Sequence, residues 1–69
     1  MIHKYYVNTS AQPTGEHELH REGCPYLVLI NEAIFLGEFS SCADALVVAQ
    51  RLYSNVDGCY HCCRECHTK

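Results

Sequence analysis

Basic residues are few in this chain, and they do not gather. Lys4, Arg21, Arg51, Arg64 and Lys69 are the only five, no two are neighbours, and the net charge is −3 with histidines neutral. A nucleic-acid footprint needs a basic patch or stripe, and the sequence shows none. Long apolar runs are missing too. The longest uncharged one is "YLVLI", far too short to span a bilayer. The opening "MIHKYYVNTSAQ" has no apolar core of the kind a secretory signal needs. The expected compartment is therefore a reducing cytoplasm. There, closely spaced cysteines are more often metal ligands or catalytic thiols than structural disulfides. Linkers, repeats and low-complexity segments are also lacking, so residues 1–69 read as one domain.

Bulk is scarce as well. A chain of 69 residues buries only about 60% of the surface it exposes when unfolded. A single core of this size rarely supplies more than ~3–5 kcal/mol. Staples are expected, and cysteine is the available material. Four of the six cysteines and two of the five histidines fall in residues 58–67, "GCYHCCRECH".

The patterning predicts a small α+β domain. "IHKYYVN" alternates like a strand, and "HELH" reads as a short second strand after the "SAQPTGE" turn. "PYLVLI" and "IFLGEF", separated by "NEA", are expected to form an antiparallel hairpin, with Gly37 marking a bulge or a close approach. Residues 42–54 carry one apolar stripe at helical spacing: Cys42, Ala45, Leu46, Ala49, Leu52 and Tyr53. Ser41 suits the N-cap, with Asp44 three positions on. Asn55 and Gly58 tolerate the left-handed conformation that ends helices. The expected architecture is an antiparallel sheet of three or four strands, one helix packed on it, and a cysteine-rich C-terminal zinc knuckle.

Zinc takes four ligands in a tetrahedron, usually offered as two short-spaced pairs of Cys or His. Cys59-x-x-Cys62 is one such pair. The only comparable pair elsewhere is His20-x-x-x-Cys24 in "LHREGC", where Gly23 permits a tight turn. Together His20, Cys24, Cys59 and Cys62 would hold one zinc ion and tie both ends of the core. Structural zinc contributes about 10–16 kcal/mol in small fingers, more than this core supplies alone.

"LHREGCPYL", "FSSCADAL" and "DGCYHC" together resemble the H-x-x-x-C … G-x-x-C-x-x-C pattern of small bacterial zinc-ribbon-like modules, often appended to nucleases. The spacing is also similar to the N-terminal zinc domain of the Ada DNA-repair protein, and to short bacterial proteins in which one small domain is the whole chain. The likeness covers about residues 19–62. It implies a zinc scaffold with a possible nucleic-acid partner. It does not imply methyl transfer, because the position of the Ada acceptor thiolate is His20 here, and an imidazole is no substitute for that nucleophile.

Other readings compete for the same residues. Cys63 and Cys66 also form a C-x-x-C pair and are alternative ligands, and Cys66 with His67 could hold a second ion. Adjacent Cys62 and Cys63 point apart, so at most one easily joins a given tetrahedron. Cys42 reads as a small hydrophobe on the helix stripe, with a disulfide to Cys66 as the rival. Iron in a sulfur-rich site stays open beside zinc.

Cys63-Arg-Glu-Cys66-His67 has haem-attachment spacing, but attachment needs export and an apolar crevice. A redox dithiol at Cys63 and Cys66 lacks the helix N-terminus that activates such pairs. "HELH" is not the H-E-x-x-H of metalloproteases, which leaves His17, like His3 and His61, as a surface histidine. Tyr5, Tyr6, Tyr26, Tyr53 and Tyr60 suit packing better than base stacking. A filled Cys₃His site leaves no position for a substrate or catalytic water. The expectation is a non-catalytic zinc module that presents a surface to a partner, most readily a protein. Its rival is a thiol-redox or metal-handling protein using Cys63 and Cys66.

Overall fold

Three longer strands and one short addition build the sheet. They are β1 (His3–Asn8), β2 (His17–Arg21), β3 (Ala33–Phe39) and β4 (Val56–Gly58), in the spatial order β3-β1-β2-β4. The computed structural model describes residues 1–30 and 32–68. Asn31, in the expected hairpin turn, and Lys69, one of the five basic residues, lie outside them. β1 pairs antiparallel with both β2 and β3, whereas β4 runs parallel to β2. The sheet is therefore mixed, not wholly antiparallel. The helix α1 (Cys42–Leu52) carries the chain from β3 to β4, and β4 returns beside β2 in the same direction.

The α+β class and the single helix follow the sequence pattern. Ser41 is extended and its Oγ accepts the backbone N–H of Asp44 at 3.3 Å. This satisfies one of the donors that a helix N-terminus leaves open. The stripe buries Cys42, Ala45 and Ala49. Small side chains there let the helix approach the sheet closely. Leu52, at the end of the stripe, is half exposed. The helix does not end in a left-handed residue as expected. Tyr53 is extended and its N–H donates to Ala49 O at 3.0 Å, and neither Asn55 nor Gly58 has positive φ.

The expected hairpin does not form. "PYLVLI" coils into a 3-10 turn at Leu27–Leu29, held by Leu27 N–H to Cys24 O at 3.0 Å and Leu29 N–H to Tyr26 O at 3.2 Å. β3 pairs with β1 instead. A short apolar run does not by itself distinguish a strand from a helical turn, and this one is tethered at Cys24. Gly37 does mark a bulge: Tyr5 faces Gly37 while Tyr6 faces Phe35, so Leu36 is the extra residue, and Gly37 has φ +128°.

Between helix and sheet lies a core of Tyr5, Leu19, Cys42, Ala45, Cys63 and Cys66. Three of these six are thiols, and two of them, Cys63 and Cys66, show where the C-terminal segment goes. It folds back under the helix through a 3-10 turn at Arg64–Cys66. Gly58 makes that return possible. A Cβ at this position would stand 2.5 Å from Cys63 O and 2.7 Å from Cys66 Cβ, closer than real contacts allow. Among the described residues no helix is long and apolar enough to cross a membrane.

Candidate metal centre

β2 is buried on both faces. Leu19 points to the helix side, and His20, the next residue, is only 1% exposed. Successive side chains of a strand point to opposite faces, so something must cover His20. The cover is built from two loops. Arg21 to Cys24 forms a tight turn closed by Cys24 N–H to Arg21 O at 3.1 Å, with Gly23 at φ +83°. Only glycine enters that region without strain. This turn sends Cys24 back over its own strand.

The second loop arrives through the parallel pairing. Leu19 stands opposite Gly58, and Cys59 N–H donates to Leu19 O at 2.9 Å. That register delivers Cys59 beside His20. Cys63 N–H then closes onto Cys59 O at 2.9 Å, which tightens the knuckle that carries Cys62.

One donor atom from each of His20, Cys24, Cys59 and Cys62 lies within 4.8 Å of every other. His20 Nδ1 is 3.6 Å from Cys24 Sγ and 3.9 Å from Cys62 Sγ, and the Cys24 and Cys59 sulfurs are 3.9 Å apart. Zinc–sulfur bonds of about 2.3 Å and zinc–nitrogen bonds of about 2.0 Å give tetrahedral edges of about 3.8 Å for S–S and about 3.5 Å for S–N. The group is thus positioned to bind one metal ion.

The surroundings suit thiolates. Arg21 N–H donates to Cys62 Sγ at 3.3 Å. The backbone amides of His61 and Cys62 near Cys59, and of Tyr26 near Cys24, act to lower those thiols. Backbone donors favour the charged form, but burial opposes it. Without a cation burial wins. It pushes the Cys59 thiol up to about 12 and raises Cys24 as well. Cys62 is raised first by its contact with the Cys63 thiol and then by burial. Burial also lowers His20, which favours the neutral imidazole. A divalent cation supplies the charge that tips the thiols to thiolates.

The remaining cysteines lie elsewhere. Cys63 is fully buried in the core, and Cys66 sits there beside Cys42. Burial, then the neighbouring Cys66 thiol, pushes Cys42 up to about 12. All six cysteines are free, so the rival Cys42–Cys66 disulfide is not formed. His67 turns to β4, with Nδ1 3.0 Å from both Asp57 Oδ2 and Gly58 O. Neither Cys63, Cys66 nor His67 joins the four-donor group. His17 donates to Asn8 O at 2.9 Å and stacks on Tyr53, while His61 stacks on Tyr26.

One neighbour escaped the sequence reading. Glu18 Oε1 is 3.4 Å from His20 Nε2, and burial, with Glu16 and Asp57 nearby, raises its carboxyl above the ordinary range. The strand alternation in "HELH" carried that signal, since residues two apart share a face. Beside the group opens a cleft of about 370 Å³, bordered by Glu18, Tyr26, Leu29, Cys59, Tyr60 and His61. Comparison of the chain with family models, with curated proteins and with solved structures returns no match.

Proposed function

We propose that this protein is a structural-zinc module that presents the surface around its metal knuckle to a partner protein in a reducing, cytoplasmic setting. One observation carries the reading: two pairs of donors, 35 residues apart at Cys24 and Cys59, converge at tetrahedral spacing in a core too small to stand well alone. Three thiolates and one imidazole suit zinc, with iron as the competitor for such a sulfur-rich set. The spacing likeness to zinc-ribbon-like modules supports the same assignment. Four protein donors leave no place on the ion for substrate or water, which argues for a non-catalytic role.

The surface offered is apolar and lies beside the knuckle. Val28 and Leu29 are 82% and 72% exposed, with Tyr26 and Tyr60 partly so. Such side chains favour a protein partner over nucleic acid, as does the shortage of basic residues. The thiol-redox rival finds less support, because Cys63 and Cys66 are buried and reactive thiols are accessible.

Metal analysis of protein purified without added metal tests the proposal, together with the visible spectrum after cobalt substitution. The expected result is about one zinc per chain and a tetrahedral, thiolate-rich cobalt spectrum. Metal-free protein with no uptake of zinc or cobalt would sink it. Stoichiometric iron with a sulfur-to-iron charge-transfer band would replace zinc by iron.

A further inference from the structure

Glu18 stands two residues before His20 on β2, so both side chains leave one face of the strand. Pairing with β4, in which Glu18 faces Asp57, fixes that segment of the backbone. His20 presents Nδ1 to the sulfurs. A neutral imidazole that ligates through Nδ1 carries its proton on Nε2. That nitrogen is buried and makes no hydrogen bond of good geometry. The Glu18 carboxylate, 3.4 Å away, sits at the margin of one. Its side chain is 29% exposed on the cleft, which leaves it room to close the remaining gap.

We propose that Glu18 is the outer carboxylate of the metal centre, a positioning residue that accepts the Nε2–H of His20. The contact selects the tautomer with Nδ1 free for the ion and holds the ring in its plane. Because Glu18 is not among the four converging donors, it acts through His20 and not on the metal. Histidine ligands commonly donate their second N–H to such a partner, and its loss weakens metal binding by about 10–100-fold. This inference rests on the metal reading above.

Competition titration against a chromophoric chelator at neutral pH, with zinc as the probe, measures the effect. The proteins are the wild type, Glu18→Ala and Glu18→Gln, each also in a His20→Cys background. Glu18→Ala is expected to weaken zinc binding about 10–100-fold. Glu18→Gln, which keeps a carbonyl acceptor, retains most of the affinity. In the His20→Cys background there is no N–H to accept, so Glu18→Ala costs nothing there. Nitrogen-15 spectra of the zinc form should show His20 protonated at Nε2 in the wild type and a shifted signal in Glu18→Ala.

Affinity of Glu18→Ala within about twofold of wild type would overturn the role, against the loss expected for such a partner. So would an equal loss in the His20→Cys background. Wild-type protein that takes up no zinc would bring down the metal reading itself. Wild type that binds zinc while Glu18→Ala binds it equally well removes only Glu18.

Discussion

Six thiols of one chemical type divide into two populations here, and the division follows which side of β2 they reach. Cys24, Cys59 and Cys62 meet His20, whereas Cys42, Cys63 and Cys66 pack between helix and sheet. Cys62 and Cys63 are neighbours in sequence and Cys62 also packs against the core, yet only Cys62 joins the donor group. Substitution should separate the two groups. Cys24→Ser or Cys59→Ser is expected to abolish stoichiometric zinc in metal analysis. Cys63→Ala should keep about one zinc and lower stability by about 1–3 kcal/mol in denaturant unfolding of the zinc form, as loss of a small buried side chain does. Retention of zinc by Cys24→Ser would contradict the assignment.

The same thiols set the pH dependence. Burial raises Cys24 and Cys59, so at neutral pH the metal-free site holds its protons. On the zinc proposal the ion must displace them, and about three are released per ion bound, with His20 already neutral. Affinity therefore rises with pH and falls steeply in acid, and the metal's contribution to stability is present at neutral pH and lost as pH falls. Calorimetry in buffers of different ionisation enthalpy counts the protons. No release at neutral pH would mean that the thiols are not the ligands.

At the scale of elements, the site depends on two backbone devices: the Gly23 turn after β2 and the parallel register of β4. The sequence made the first legible, because a glycine stands between His20 and Cys24. The second was hidden. Three residues, "VDG", are too short to announce a strand, and no local pattern says that β4 lies beside β2. The convergence of His20, Cys24, Cys59 and Cys62 was nevertheless readable, since short-spaced Cys and His pairs are how donors for one ion are usually offered. The fate of "PYLVLI" was not, because its apolar character reflects exposure near the knuckle as much as burial.

Gly58 links these devices to the core. Gly58→Ala is expected to destabilise the protein by about 1–3 kcal/mol through overpacking against Cys63 O and Cys66 Cβ, measured as a lower denaturant midpoint. An unchanged midpoint would show that the return loop yields freely. Ser41→Ala should cost about 0.5–2 kcal/mol by loss of the cap while zinc content stays the same, because α1 supplies none of the four donors.

For the whole molecule, the zinc proposal makes the metal and the core unequal partners. The sheet and helix bury few large side chains: Leu19, His20, Val7 and Cys63 are the largest that are fully enclosed. One of those four is a candidate ligand. A core of this size supplies ~3–5 kcal/mol at most, against about 10–16 kcal/mol for a structural zinc site. Thermal unfolding followed by circular dichroism, before and after removal of the metal by a strong chelator, tests this balance most directly. The zinc form should unfold in one cooperative transition, the chelated protein should lose that transition, and added zinc should restore it. A chelated, metal-free protein that unfolds as cooperatively and at the same temperature would contradict the account.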